Sequence, residues 1–154
     1  MSTPSLPEEI TNIKFLNVSY RIKLDTLLPS AVTSDLSIQP TEFFAKGDRY
    51  LGKVRDPQTN IISEIWRERP SGIWRINTRD MNLPHVPADH ILYLLSVLEP
   101  KKNILVVYLE KCSISFYIDQ KTIYPSTVEL SSKILERMSR LCHFMEVFSE
   151  ITLA

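Results

Sequence analysis

Apolar residues recur at every second position in one early stretch: Leu16, Val18, Tyr20, Ile22 and Leu24. Phe15, Asn17 and Ser19 fill places between them. The alternation predicts a strand over residues 13–24 with one face buried. The period then changes. Leu28, Val32 and Leu36 lie four apart, and Pro29 stands just inside that set. Proline suits a first helical turn, where its missing N–H costs nothing. This predicts a short helix with Asp25 or Thr26 as its cap. Period two returns over residues 61–68, with Ile62, Glu64, Trp66 and Glu68 alternating against Ile61, Ser63, Ile65 and Arg67. Arg69-Pro70-Ser71-Gly72 is turn chemistry, and residues 73–78 read as the returning strand. Together they predict a hairpin carrying one tryptophan, Trp66 or Trp74, on each arm.

In the second half, Ile91, Leu94, Leu95 and Leu98 form a helical stripe that opens at Pro87 and stops before Pro100. Residues 103–110 contain the run Ile104-Leu105-Val106-Val107-Tyr108-Leu109, which predicts a central strand covered on both faces. Residues 113–119 alternate, with Ile114, Phe116 and Ile118 on one side. A last helix, capped by Ser126 or Ser131, carries Ile134, Leu135, Met138, Leu141 and Cys142 on one stripe. Residues 144–151 alternate again as a closing strand.

Between the first helix and the hairpin lies an irregular stretch. Pro40 and Gly47 punctuate it, and residues 45–60 also hold Gly52, Pro57 and Asn60. They read as a long loop, and long loops in compact domains are commonly functional or mobile. The order is strand, helix, hairpin, helix, hairpin, helix, strand. It predicts an α+β fold: a largely antiparallel sheet with about three helices packed on one face. Residues 1–11, rich in Pro, Ser, Thr and Glu, read as a flexible leader before one α+β domain over residues 12–154.

Composition narrows the function. The chain has 154 residues, 44% of them hydrophobic and 23% charged. Both shares are ordinary for a globular protein with a real core. The formal net charge is zero. That argues against neutralising many phosphates and so against nucleic-acid binding. No signal peptide and no bilayer-length apolar run is readable. The expected location is therefore the cytoplasm, and no membrane is expected as a partner. Cys112 and Cys142 lack metal-ligand spacing and read as small buried residues with free thiols.

Chemistry is sparse. His85, His90 and His143 show no zinc-protease spacing, and no Gly-x-Ser-x-Gly elbow exists. The three glycines, Gly47, Gly52 and Gly72, are too far apart for a phosphate loop. No catalytic residue, metal or cofactor is therefore expected. Aromatic and basic residues do gather. Lys46, Arg49, Tyr50, Arg67, Arg69 and Arg75 stand near Phe43, Phe44, Trp66 and Trp74. Tryptophan, tyrosine and arginine are the residues enriched at protein interfaces, so these six are the candidate partner-binding residues.

A resemblance runs through the same stretch. Leu36-x-Ile38-x-Pro40-Thr41, Lys46-Gly47-Asp48, Gly72-x-Trp74-x-Ile76, and His90-Ile91 with Leu94, Leu95 and Leu98 resemble the bacterial family catalogued as domain of unknown function 4279. The likeness covers about residues 13–152. It departs at the exit of the last helix, where the family tends to a glycine and this chain has Cys142-His143. The resemblance implies a small cytoplasmic α+β protein akin to the immunity proteins that accompany bacterial toxins. It supplies no catalytic residues. The expectation is a non-enzymatic module that binds a cognate toxin or another protein. The alternative is an enzyme or small-ligand sensor with a pocket between the sheet and residues 45–60.

Overall fold

The computed structural model describes residues 12–152, so the expected leader lies outside the described residues. Its elements run β1 Ile13–Leu24, α1 Pro29–Leu36, β2 Glu42–Phe44, β3 Arg49–Arg55, β4 Ile62–Glu68, β5 Gly72–Asn77, α2 Pro87–Leu98, a 3-10 turn Glu99–Lys101, α3 Lys102–Lys111, β6 Ser113–Thr122, α4 Ser132–Ser139 and β7 Phe144–Ile151. Five strands form one sheet in the order β2-β5-β1-β6-β7; β3 and β4 pair only with each other. All pairs are antiparallel except β6 with β7, which α4 joins as a parallel crossover. The fold is α+β with a largely antiparallel sheet, as the patterning predicts.

The period-two set of β1 faces the helices. Val18, Tyr20, Ile22 and Leu24 are fully buried there, with Trp74 from β5 and Ile114, Phe116 and Ile118 from β6. Against them pack Val32 and Leu36 of α1, the α2 stripe, Leu105 and Tyr108 of α3, and Met138 of α4. Two hydrogen bonds tie this core to its cover. Tyr20 donates its hydroxyl to the Leu141 carbonyl at 2.6 Å, and Trp74 donates Nε1–H to Thr33 Oγ1 at 3.0 Å. The other face of the sheet carries the alternate positions, among them Arg21, Lys23, Arg75, Ser115, Tyr117 and Glu146.

Several local expectations change. Residues 103–110 are helix, not a central strand. Their buried members, Leu105 and Tyr108, with Ile104 and Leu109 partly buried, fall at helical spacing, while Val106 is 50% exposed. The last helix starts at Ser131, whose hydroxyl accepts from the Ile134 N–H at 3.2 Å; Ser126 does not cap it. Pro29 and Pro87 open α1 and α2, but Leu28 and Val86 are the cap residues, so neither Asp25 nor Thr26 caps α1. The two tryptophans do not share a hairpin. Trp74 sits in the main sheet on β5, and Trp66 sits on β4 paired to β3. The expected long loop is interrupted by strand β3, Arg49–Arg55.

Candidate functional site

The β3–β4 ribbon is seeded by the Lys46-Gly47-Asp48 stretch. Gly47 takes a φ of 87°, a region that L side chains adopt with strain. Asp48 closes the turn by accepting the Ala45 N–H on Oδ2 at 2.8 Å. Gly47 N–H then bonds Arg69 O, and Arg69 N–H bonds Asp48 O, each at 2.8 Å, which starts the ladder. Lys46 pairs with Asp25 at 3.0 Å and fixes the base. At the same base the Arg69 guanidinium lies between two rings, 4.0 Å from the Phe44 centroid and 3.8 Å from that of Tyr50. Such stacks contribute roughly 0.5–1 kcal/mol each at exposed sites, so the pair helps hold a ribbon that would be marginal alone.

The pairing register sorts the ribbon's side chains onto two faces, because directly opposed residues of an antiparallel pair share a face. One face carries Leu51 opposite Trp66, with Arg49 opposite Glu68 and Lys53 opposite Glu64. Trp66 is 60% exposed, and the Arg49 guanidinium lies 5.3 Å from its ring centre. The reverse face carries Tyr50 opposite Arg67, whose side chain lies along Gly52. No residue of β3 or β4 belongs to the core.

The six expected binding residues are thus not one patch. Tyr50, Arg67 and Arg69 share the reverse face, Arg49 joins Trp66 on the other, and Lys46 marks the base. Arg75 belongs elsewhere. It stands on the open face of the main sheet, ion-paired with Glu42, and burial together with the neighbouring Arg21 charge pushes its guanidinium below the usual arginine range.

The open sheet face holds a group that the sequence reading passed over. Arg21 lies directly opposite Arg75 across the β1–β5 pair. Its guanidinium is 4.3 Å from the Tyr117 ring centre and reaches Glu146 at 3.4 Å. A hollow of about 300 Å³ opens beside it, lined by Arg21, Lys23, Ser71, Ile73, Ser113, Ser115, Phe144 and Glu146. A second hollow of about 320 Å³ lies between α1 and α3, where Tyr108 donates to Asp35 at 2.5 Å. Residues 45–60 line neither, so these hollows are not the expected pocket between the sheet and that stretch.

The family described as Domain of unknown function (DUF4279) matches residues 11–147. The chain belongs to the DUF4279 family. The match takes in β1, the ribbon, the open-face residues and the first half of β7. No curated protein matches this DUF4279 chain, and no solved structure does. Nucleophile chemistry finds little support in the side chains themselves. Cys112 and Cys142 are free, and burial pushes both thiols up, away from the reactive thiolate. His143, beside Cys142 in sequence, spends both ring nitrogens on backbone, Nε2 on Leu109 O at 2.9 Å and Nδ1 on the Ile114 N–H at 3.0 Å. No helix among the described residues is long and apolar enough to cross a membrane.

The missed group did leave a signal. Arg21 and Lys23 continue the polar half of the β1 alternation that Asn17 and Ser19 begin. What hid their role is that β1 is the middle strand. Only with the strand order in hand do these charges fall at the centre of the helix-free face.

Proposed function

We propose that this protein is a non-enzymatic protein-binding module that grips its partner with the β3–β4 ribbon. In its most concrete form it is an immunity protein that neutralises a bacterial toxin by direct binding. The observation that carries this reading is Trp66. It is 60% exposed at the centre of a ribbon face, opposite Leu51 and beneath Arg49, on an element that gives nothing to the core. An aromatic anchor ringed by charged side chains is the usual anatomy of an energetic interface centre. Arg67, Arg69 and Tyr50 on the reverse face, with Lys46 at the base, let a concave partner close around both sides.

The test is co-expression and calorimetry with the toxin encoded beside the gene. Trp66→Ala, and charge reversal at Arg49 and Arg67, should weaken the complex by about tenfold or more, roughly the loss of one hot-spot contact. The melting temperature should stay near that of the wild type. A melting temperature that collapses assigns these side chains to stability and removes the ribbon as the site. Failure to bind or neutralise that toxin removes the immunity reading.

A further inference from the structure

We propose that the hollow on the open face of the sheet is a binding site for a small phosphomonoester, held by Arg21 and Lys23. The inference does not rest on the ribbon. Arg21 is a pre-set anion fork. Its guanidinium lies 4.3 Å from the Tyr117 ring centre, and its one side-chain hydrogen bond among the described residues is the long 3.4 Å contact from Nη2 to Glu146. A guanidinium has five N–H donors, so most of the fork is unused.

Lys23, two residues on along β1, points from the same face and has no ion-pair partner among the described residues. Three serines line the same space, Ser71 from the turn before β5 and Ser113 and Ser115 from β6. An adjoining hollow shares Lys23, Ser71 and Ser113 and adds Lys111. Asp25 lines that second hollow too, but Lys46 already matches it at 3.0 Å. Arg21, Lys23 and Lys111 set against Glu146 leave two positive charges over. Arg75, directly opposite Arg21, is already matched by Glu42 and adds no net charge to the hollow.

Two charges in excess and three hydroxyls suit a dianion with several acceptor oxygens better than a carboxylate, which one arginine fork satisfies alone. Ile73 and Phe144 form an apolar wall beside the cations, which suits a phosphate joined to a small hydrophobic body. A volume of about 300 Å³ limits the ligand to a small molecule. Glu146, 53% exposed at its side chain, is the group that would yield its place on Arg21.

Amide NMR titration of the full chain with phenyl phosphate, at constant ionic strength, tests the site, with inorganic phosphate and phenol as separate arms. The expected result is a saturable shift at the amides of Lys23, Ser113 and Ser115 with phenyl phosphate, a weaker one with phosphate, and none with phenol. Arg21→Gln and Lys23→Ala should each weaken binding by about tenfold, the scale of one charge-assisted hydrogen bond. Lys23 is exposed, so Lys23→Ala keeps the melting temperature and serves even if Arg21→Gln does not fold. Linear, unsaturated shifts, equal binding of phenol, or unchanged affinity in Lys23→Ala would each overturn the proposal. None of these outcomes depends on the toxin, so a failed ribbon leaves the site standing and a failed site leaves the ribbon standing.

Discussion

Burial holds His90 toward its neutral form, against the Pro84 carbonyl, which favours the charged ring. Its Nε2 faces the Pro84 carbonyl at 2.8 Å. A carbonyl only accepts, so Nε2 carries the proton. Nδ1 is then the acceptor for the Thr78 hydroxyl at 2.5 Å, and that oxygen in turn takes the Val18 N–H at 3.1 Å. Protonating Nδ1 would turn the Thr78 hydroxyl from the ring to its longer contact with the Val18 carbonyl at 3.5 Å. Burial outweighs the Pro84 bond and pushes the His90 pKa down. The unfolded chain takes up the proton at about pH 6.5, and the folded chain does so only at lower pH. Below that value the unfolded state binds more protons, so the stability due to neutral His90 is whole above about pH 6.5 and declines as pH falls. Urea denaturation of the wild type between about pH 7 and pH 5 should therefore show a steeper loss of midpoint than His90→Gln. Equal slopes would mean that the ring titrates alike in both states.

At the scale of elements, the strands and most helices were legible because their burial is one-sided. β1 and β6 present one apolar set to the helices, and period two reports that directly. Residues 103–110 misled for a definable reason. Ile104, Val106 and Val107 are β-branched and the run is short. Composition therefore argued for strand, while the helical spacing of Leu105 and Tyr108 stayed hidden among exposed apolar neighbours. The error has a mutational signature. Val106 is 50% exposed on α3. Its replacement by glutamine should change stability by no more than about 0.5 kcal/mol, as at an ordinary surface position. A central strand would be broken by the same change. Leu105 is fully buried. Leu105→Ala should cost about 2–5 kcal/mol. Thermal melts that reverse this order would restore the strand. The candidate site was legible only by residue type. Arginines and aromatics named the right stretch, but assigning Arg49 and Arg67 to opposite faces, and Arg75 to another sheet, needed the register. Gly52 helped to hide β3, since a glycine inside a strand reads as a break. Here it makes room for the Arg67 side chain.

At the scale of the whole molecule, stability is unevenly distributed. β1 sits between β5 and β6, and Val18, Tyr20 and Ile22 are fully buried under the helices. Its partners lie far along the chain, Trp74 opposite Ile22 on one side and Phe116 opposite Tyr20 on the other, so β1 opens only when the sheet itself comes apart. The ribbon has the opposite character. Its ladder is exposed, it adds nothing to the core, and the turn at Gly47, the Lys46–Asp25 pair and the Phe44–Arg69–Tyr50 stack hold it at the base. Segments of that kind open at a fraction of the global free energy. Hydrogen exchange of the native protein should therefore protect the amides of β1 to the global limit, while those of β3 and β4 exchange through local opening well before it. Replacing Arg69 by alanine removes the stack and should speed exchange in the ribbon without changing β1. If β1 and the ribbon exchange together, the ribbon is part of the cooperative core. Its variants would then report on folding, and weakened partner binding in Trp66→Ala would lose its meaning as evidence for an interface.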